Sequence, residues 1–157
     1  WVGENHLTIS FKQTTIFSRV IDERYPDYKT VLPKDNNKVL TVEREELLAS
    51  VRRVSIFSNR ATRQVELKLS SDGAVITTED PESASSAQEK VAVEYEGEDL
   101  SLGFNANYFI DVLSHISTNR VVMRLNTPIT ATLIEPDSQG VNEETTMLLM
   151  PMRTGDQ

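Results

Sequence analysis

Carboxylates are the most abundant residues that could do chemistry in this chain. Its 157 residues include 24 Asp and Glu. Paired carboxylates can serve acid–base catalysis, but at these positions they fit helix N-terminal charges and solvated turns better. An enzyme with an unrecognised carboxylate site is therefore the least favoured of the three hypotheses for this chain; the other two, given below, are non-catalytic. The acidic clusters are Glu43, Glu45 and Glu46; Glu94, Glu96, Glu98 and Asp99; and Glu143 and Glu144.

Metal, thiol and phosphate-loop chemistry find little support in the sequence. The two histidines, His6 and His115, have no neighbouring ligand pattern, and cysteine is absent. The chain therefore lacks a disulfide framework and a thiolate nucleophile. The six glycines are scattered and form no phosphate-binding loop, and no nucleophile elbow occurs. We expect no catalytic residue, no metal and no cofactor.

Basic residues gather at the two predicted helices. Arg44, Arg52 and Arg53 share the first helix, and Arg120 follows the second. The formal net charge of −8 argues against a broad basic surface for nucleic acid. Solvated helix faces are the default explanation for these arginines. The alternative is that the exposed helix faces point at a polyanion.

The carboxyl end carries an apolar strand pattern with unusual features. In "TTMLLMPMR", residues 145–153, Leu148, Met150 and Met152 alternate with Met147, Leu149 and Pro151, so both faces would be apolar. Pro151 cannot donate a ladder hydrogen bond, which places it at a sheet edge or beyond the end of the sheet. One face can pack on a core, and the other is either buried too or exposed for a partner.

The amino-terminal residues predict a hairpin followed by a connector. Alternating apolar residues at 7–11 and a strand-like run at 14–22 flank a turn near Lys12 and Gln13. Two prolines and an Asp-Asn-Asn cluster make residues 24–38 an extended connector. We place a domain boundary here, between residues 1–36 and 37–157. Because the chain opens on Trp1 without a leader-like segment, we expect it to be part of a longer protein. No apolar run approaches the roughly 20 residues that cross a bilayer.

The remainder contains a strand–helix–hairpin pattern twice, offset by about 60 residues. The first copy has a strand at 39–42, a helix at about 43–55 and a hairpin at 65–78 that turns at Asp72-Gly73. The second has a strand at 100–102, a helix at 106–116 capped by Asn105, and strands at 121–125 and 129–134. Each helix has one apolar stripe. The pattern predicts an α+β fold with two helices packed side by side on antiparallel sheets.

Three motifs resemble one family in order and spacing. They are "RYPDYKTVLP" at 24–33, "GFNANYFIDVL" at 103–113 and "LLMPMR" at 148–153. Together they are similar to the β subunit of bacterial replicative DNA polymerase, the sliding clamp. The resemblance implies that residues 1–36 end the middle domain and residues 37–157 form the third domain. It further implies a non-catalytic processivity factor of DNA replication with the DNA-clamp fold.

In this family the terminal strand borders a hydrophobic groove that binds short peptide motifs. The resemblance implies that replicative and translesion polymerases, the clamp loader and repair proteins dock there in turn. It assigns to the groove Pro26, Thr30, Val31, Asn105, Tyr108, Ile129, Leu148, Met150, Pro151, Met152 and Arg153.

The resemblance also implies a ring. Two full-length subunits would form a cytoplasmic homodimer that encircles duplex DNA without sequence preference. Ile56, Phe57 and Glu89 would lie at the subunit interface. Arg44, Arg52, Arg53 and Arg120 would face the DNA, because the helices line the hole. A chain of this extent is not expected to encircle DNA by itself.

A second hypothesis follows from the residues alone. The chain would be a generic α+β interaction module that binds its partner by strand addition at the carboxyl-terminal edge.

Overall fold

Eleven β-strands, two α-helices and one short 3₁₀ helix make up the described part of the chain. The computed structural model describes residues 1–25 and 27–153. The chain divides into two units, Trp1–Val31 and a second that begins at Leu32. Each unit is described by itself. The assignment of residues 1–36 and 37–157 to two domains of a longer protein stays a prediction.

The first unit is built on the predicted hairpin. Strands β1 (His6–Phe11) and β2 (Thr14–Arg19) pair antiparallel, with Ile9 opposite Ile16. Lys12 turns the chain with a positive φ of 54°. Strand β2 ends at Arg19, short of the predicted Asp22, and a 3₁₀ turn follows at Tyr28–Thr30.

The second unit contains both predicted helices, α1 (Arg44–Ser55) and α2 (Ala106–Ser114). The Asn105 side chain caps α2 by accepting hydrogen bonds from the backbone N–H groups of Asn107 and Tyr108, as predicted. The strands are β3 (Lys38–Glu43), β4 (Gln64–Ser70), β5 (Gly73–Asp80), β6 (Ser85–Val91), β7 (Val93–Glu96), β8 (Leu100–Asn105), β9 (Arg120–Leu125), β10 (Thr132–Pro136) and β11 (Met147–Leu149).

The strands form two antiparallel sheets that exchange strands between the repeats. One sheet has the order β11-β10-β9-β3-β7 and the other β6-β5-β4-β8. Strand β3, which begins the first copy, therefore joins the hairpin of the second copy. Strand β8, which begins the second copy, joins the hairpin of the first. This exchange ties both copies into one unit.

The two helices begin with equivalent hydrogen bonds, one in each copy of the repeat. The backbone N–H of Arg44 donates to the carbonyl of Asn119 at 2.7 Å, and that of Ala106 donates to the carbonyl of Arg63 at 2.8 Å. Asn119 and Arg63 each precede the first strand of a hairpin. Each helix start is thus fixed to the opposite copy through an N–H that has no partner within its own helix.

The core lies between the two helices and the sheets. Both apolar stripes are buried, with Leu47 and Val51 on α1 and Phe109 and Leu113 on α2 fully covered. Helix α1 contacts α2 directly. The predicted α+β architecture of two adjacent helices on antiparallel sheets is confirmed.

In the second unit, some predicted boundaries and one predicted turn are wrong. Residues 126–131 form a loop, so β10 begins at Thr132 instead of residue 129. Hydrogen bonds between Thr127 and Thr130 close that loop. Helix α2 ends at Ser114 rather than at residue 116. Glu94 and Glu96 lie on strand β7, not in a turn, because Val93 and Tyr95, which alternate with them, pack on the core.

Candidate functional site

The terminal segment connects the two sheets at the start of α2. Strand β11 pairs with β10, with Leu149 opposite Thr132. The chain then leaves that sheet, and the N–H of Met152 donates to the carbonyl of Gly103 at 2.7 Å. Gly103 belongs to β8, the outer strand of the other sheet. Pro151, which has no N–H, lies past the end of β11 as its chemistry requires.

The two faces of this segment have different surroundings. Leu149 is only 5% exposed and belongs to the core, and Met147 packs against the core as well. On the other face Leu148 and Met152 are half-buried, whereas Met150 is 58% exposed. Met147 and Leu149 therefore anchor the segment to the core. The apolar side chains on its other face remain accessible. This answers the question left open by the sequence pattern.

A cavity of about 520 Å³ lies between the terminal segment and α2. We call it the terminal groove. Its lining is mostly apolar, and α2 contributes the face on which Tyr108 is 66% exposed. An open apolar cavity of this size suits the side chains of a short peptide. The groove is lined by Asn105, Tyr108, Asp111, Val112, Leu148, Leu149, Met150, Pro151 and Met152.

Six of the residues assigned to the groove from the sequence lie together in it: Asn105, Tyr108, Leu148, Met150, Pro151 and Met152. Three further residues, Asp111, Val112 and Leu149, line the groove but were not predicted from the sequence. Asp111 and Val112 follow Tyr108 by three and four residues, so they lie on the same helix face. This spacing could have indicated both of them.

The other five residues assigned to the groove do not line the cavity or are not among the described residues. Ile129 is exposed in the loop between β9 and β10, and Arg153 is exposed after the groove ends. Neither lines the cavity. Thr30 and Val31 belong to the first unit and are exposed there. Pro26 lies outside the described residues.

A second cavity, of about 910 Å³, lies at the end of α1. Ile56 and Phe57, both exposed, form its apolar part. The remaining lining comes from the loop that follows α1 and from the turn between β5 and β6. It consists of Ser58, Asn59, Arg60, Ala61, Arg63, Asp80, Glu82, Ser83 and Ser85.

Asp80 holds that loop and that turn together. Its carboxylate accepts hydrogen bonds from the hydroxyl of Ser83 at 2.6 Å and from the amide of Asn59 at 3.0 Å. The hydroxyl of Ser85 donates to the carbonyl of Phe57 at 3.2 Å. The bonds from Ser83 and then Asn59 hold the pKa of Asp80 below its usual range.

Replacing Asp80 by Ala should lower the melting temperature by a few degrees at neutral pH, because the half-buried amide of Asn59 and the exposed hydroxyl of Ser83 both lose their acceptor. A carboxyl whose folded pKa is depressed contributes stability above its unfolded pKa, near 4, and loses that contribution as the pH falls through the folded value. The difference in melting temperature between wild type and Asp80→Ala should therefore become smaller at acidic pH. Thermal melts over a pH series measure it. Glu79→Ala, at the exposed neighbouring position, is the control and should melt like wild type throughout.

Two residues assigned to different surfaces form an ion pair. The guanidinium of Arg53, assigned to the DNA-facing surface, meets the carboxylate of Glu89, assigned to the subunit interface. The contacts are 2.6 Å from Nε to Oε1 and 3.0 Å from Nη2 to Oε2. The hydrogen bonds raise the pKa of Arg53 and lower the pKa of Glu89. Glu89 on β6 is thus paired with Arg53 on α1.

The other arginines also have defined surroundings. The Arg44 side chain is only 16% exposed; it donates to the carbonyls of Thr118 and Leu113 and pairs with Glu45. Arg44 therefore fixes the start of α1 to the segment after α2 and does not present a free cation. Arg120 pairs with Glu94 at 2.7 Å and with Glu43 at 3.5 Å. Within residues 1–25 and 27–153, Arg52 forms no ion pair.

No metal-binding cluster emerges from the described residues. No group of three His, Asp or Glu side chains in them could hold a metal ion. Neither described α-helix is long and apolar enough to cross a membrane.

A protein family matches most of the chain. The model of the family described as "DNA polymerase III beta subunit, C-terminal domain" matches residues 29–153. The chain belongs to this family. The match contains both strand–helix–hairpin copies and the terminal groove.

Relatives and solved structures agree with this β-subunit family. The chain is 38% identical over 152 residues to a beta sliding clamp of Haemophilus influenzae, covering 97% of this chain and 40% of the relative. A crystal structure of the sliding clamp of Pseudomonas aeruginosa with ligand matches with a TM-score of 0.85 at 32% identity, covering 98% of this chain and 41% of that one. A structure of the clamp of the same species bound to griselimycin matches with a TM-score of 0.83 at 32% identity, covering 98% and 40%.

These matches establish the sliding-clamp fold for the described residues. The chain spans about 40% of the length of the curated relatives it matches.

Proposed function

We propose that this chain is the C-terminal part of a bacterial sliding clamp, a non-catalytic processivity factor of DNA replication. Its terminal groove would bind short peptide segments of replicative and translesion polymerases, the clamp loader and repair proteins. The observation that carries the proposal is the open apolar cavity between α2 and residues 148–152. Membership of the β-subunit family supports the biological context.

The size and lining of the groove favour exchangeable partners. Burial of one apolar anchor stabilises a complex by about 1.5–3 kcal/mol. Two or three such anchors contribute about 3–9 kcal/mol, and the cost of ordering the peptide lowers the total, so the expected affinity is micromolar or weaker. Flexible methionine side chains such as Met150 and Met152 adapt to different anchors. Affinity in this range allows several partners to use one site in turn.

The assembly is also part of the proposal. In the full-length protein, residues 1–36 would end the middle domain, and a cytoplasmic homodimer would encircle duplex DNA. The exposed apolar pair Ile56 and Phe57 supports a subunit contact at the end of α1. Glu89, which pairs with Arg53 of the same helix, would belong to that interface too. Arg52 would face the DNA as a cation without an ion pair among the described residues, Arg53 and Arg120 would face it as members of ion pairs, and Arg44 would position α1.

A second candidate function rests on a separate observation. Strand β11 is the outer strand of its sheet, so a partner strand could add to its free edge. Binding in that mode depends on the backbone of residues 147–149 and not on the side chains that line the groove.

Titration of this chain with a short peptide that carries Leu and Phe anchors separates the two candidates. Met150→Ala and Met152→Ala should each weaken binding about ten-fold, since each removes apolar contact from the groove. Isothermal titration calorimetry or fluorescence anisotropy measures the affinity. Ile56→Ala, which changes exposed apolar surface in the other cavity, is the matched control and should bind like wild type. Binding that is insensitive to both methionine substitutions would favour strand addition.

A further inference from the structure

One carboxylate, that of Asp111, lies at the terminal groove. Among the described residues that line the groove, Asp111 is the only acidic one, and none is Lys, Arg or His. The rest of the lining is apolar or uncharged. A ligand that fills the groove therefore meets one formal charge along α2, and that charge is negative.

The charge of Asp111 faces solvent with little compensation. Its side chain is 70% exposed, and the contact that it makes is with His115, whose Nδ1 lies 3.5 Å from Oδ1. The same Nδ1 lies 2.8 Å from the backbone carbonyl of Asp111. Within residues 1–25 and 27–153, no Lys or Arg pairs with this carboxylate. It is free to meet a cation on a ligand.

The position of Asp111 along α2 defines where that cation would be. Tyr108 and Asp111 are three residues apart, so they are separated by about 4.5 Å along the helix axis. An extended peptide advances about 3.3 Å per residue. A basic side chain one or two residues from an apolar anchor that contacts Tyr108 would therefore reach the carboxylate.

We propose that Asp111 is a specificity-determining residue of the terminal groove, selecting peptides with Lys or Arg one or two positions from the anchor that packs on Tyr108. The proposal rests on the proposed peptide-binding function. Apolar contacts with Met150 and Met152 supply most of the affinity, and Asp111 discriminates among peptides with equal anchors. Charge complementarity typically acts in this way, as a source of specificity more than of affinity.

The test uses three peptides with identical Leu and Phe anchors that carry Lys, Ser or Glu at the flanking position. At low salt the wild-type chain should bind the Lys peptide about five-fold more tightly than the Glu peptide, as expected for an exposed ion pair and the matching repulsion. In Asp111→Asn the ratio should fall to about one. Raising the salt to about 1 M should reduce the wild-type ratio in the same direction.

Glu79→Gln is the matched control. It removes one negative charge from an exposed position on β5 that does not line the groove, so it should keep the wild-type ratio. If Asp111→Asn lowers the affinity of all three peptides equally, or if Glu79→Gln changes the ratio as much, the inference is wrong. If the Ser peptide fails to bind wild type at all, the proposed peptide-binding function fails instead.

Discussion

Replacement of Phe109 by Ala is expected to lower the free energy of unfolding by about 3–5 kcal/mol. Phe109 is 0% exposed on α2, and its ring centre lies 5.1 Å from that of Phe104 on β8. This pair fixes the helix that borders the terminal groove to the four-stranded sheet. Since a domain of this size has a stability of roughly 5–15 kcal/mol, the loss is a large share of the total. Urea denaturation followed by circular dichroism measures it.

Tyr108→Ala is the matched control for Phe109→Ala. It removes an aromatic ring from the adjacent position, but this ring is exposed. Substitutions at such surface positions usually change stability by no more than about 0.5 kcal/mol. Equal losses in the two variants would mean that α2 does not pack on the sheet through Phe109.

Leu149→Ala should destabilise the chain by about 2–5 kcal/mol, whereas Met150→Ala should change stability by less than about 0.5 kcal/mol. The two residues are neighbours, but Leu149 is buried in the core and Met150 is largely exposed. Denaturant midpoints of both variants measure the difference. The comparison tests whether one face of the terminal segment is buried while the other is accessible.

An opposite outcome would contradict this description of the carboxyl end. If Met150→Ala destabilised the chain as much as Leu149→Ala, both faces of the terminal segment would be buried within the chain. The terminal groove would then not be open to a ligand.

The helices and hairpins were predictable because their patterns are local. The apolar stripes on α1 and α2, the N-cap Asn105 and the turn at Asp72-Gly73 each depend on residues close in sequence. Gly73 has a φ of +125°, which is the conformation for which glycine is suited at a hairpin turn.

The pairing of the strands was not predictable by the same means. Nothing in the pattern of β3 indicates that it joins β9 of the other copy, since alternation specifies a face and not a partner. Strand β7 was missed because Glu94 and Glu96 dominate its composition. Only its contact with β3, in which Leu40 lies opposite Tyr95, makes it a strand.

The candidate site was predictable only in part. The resemblance supplied Tyr108 and the Met-Pro-Met sequence, and the structure brings these residues to one cavity. Asp111 and Val112 share a helix face with Tyr108, but the sequence by itself does not show that the terminal segment lies along this face. That placement depends on the long-range hydrogen bond from Met152 to Gly103.

The central claim is that Met150 and Met152 border an open groove that binds apolar peptide anchors. Methyl NMR of the four methionines, Met123, Met147, Met150 and Met152, during titration with the Leu and Phe peptide tests it most directly. The account predicts saturable shifts of the Met150 and Met152 methyl signals, with the Met123 signal, fully buried on β9, unchanged. Saturable binding that leaves the Met150 and Met152 signals unmoved would contradict the claim.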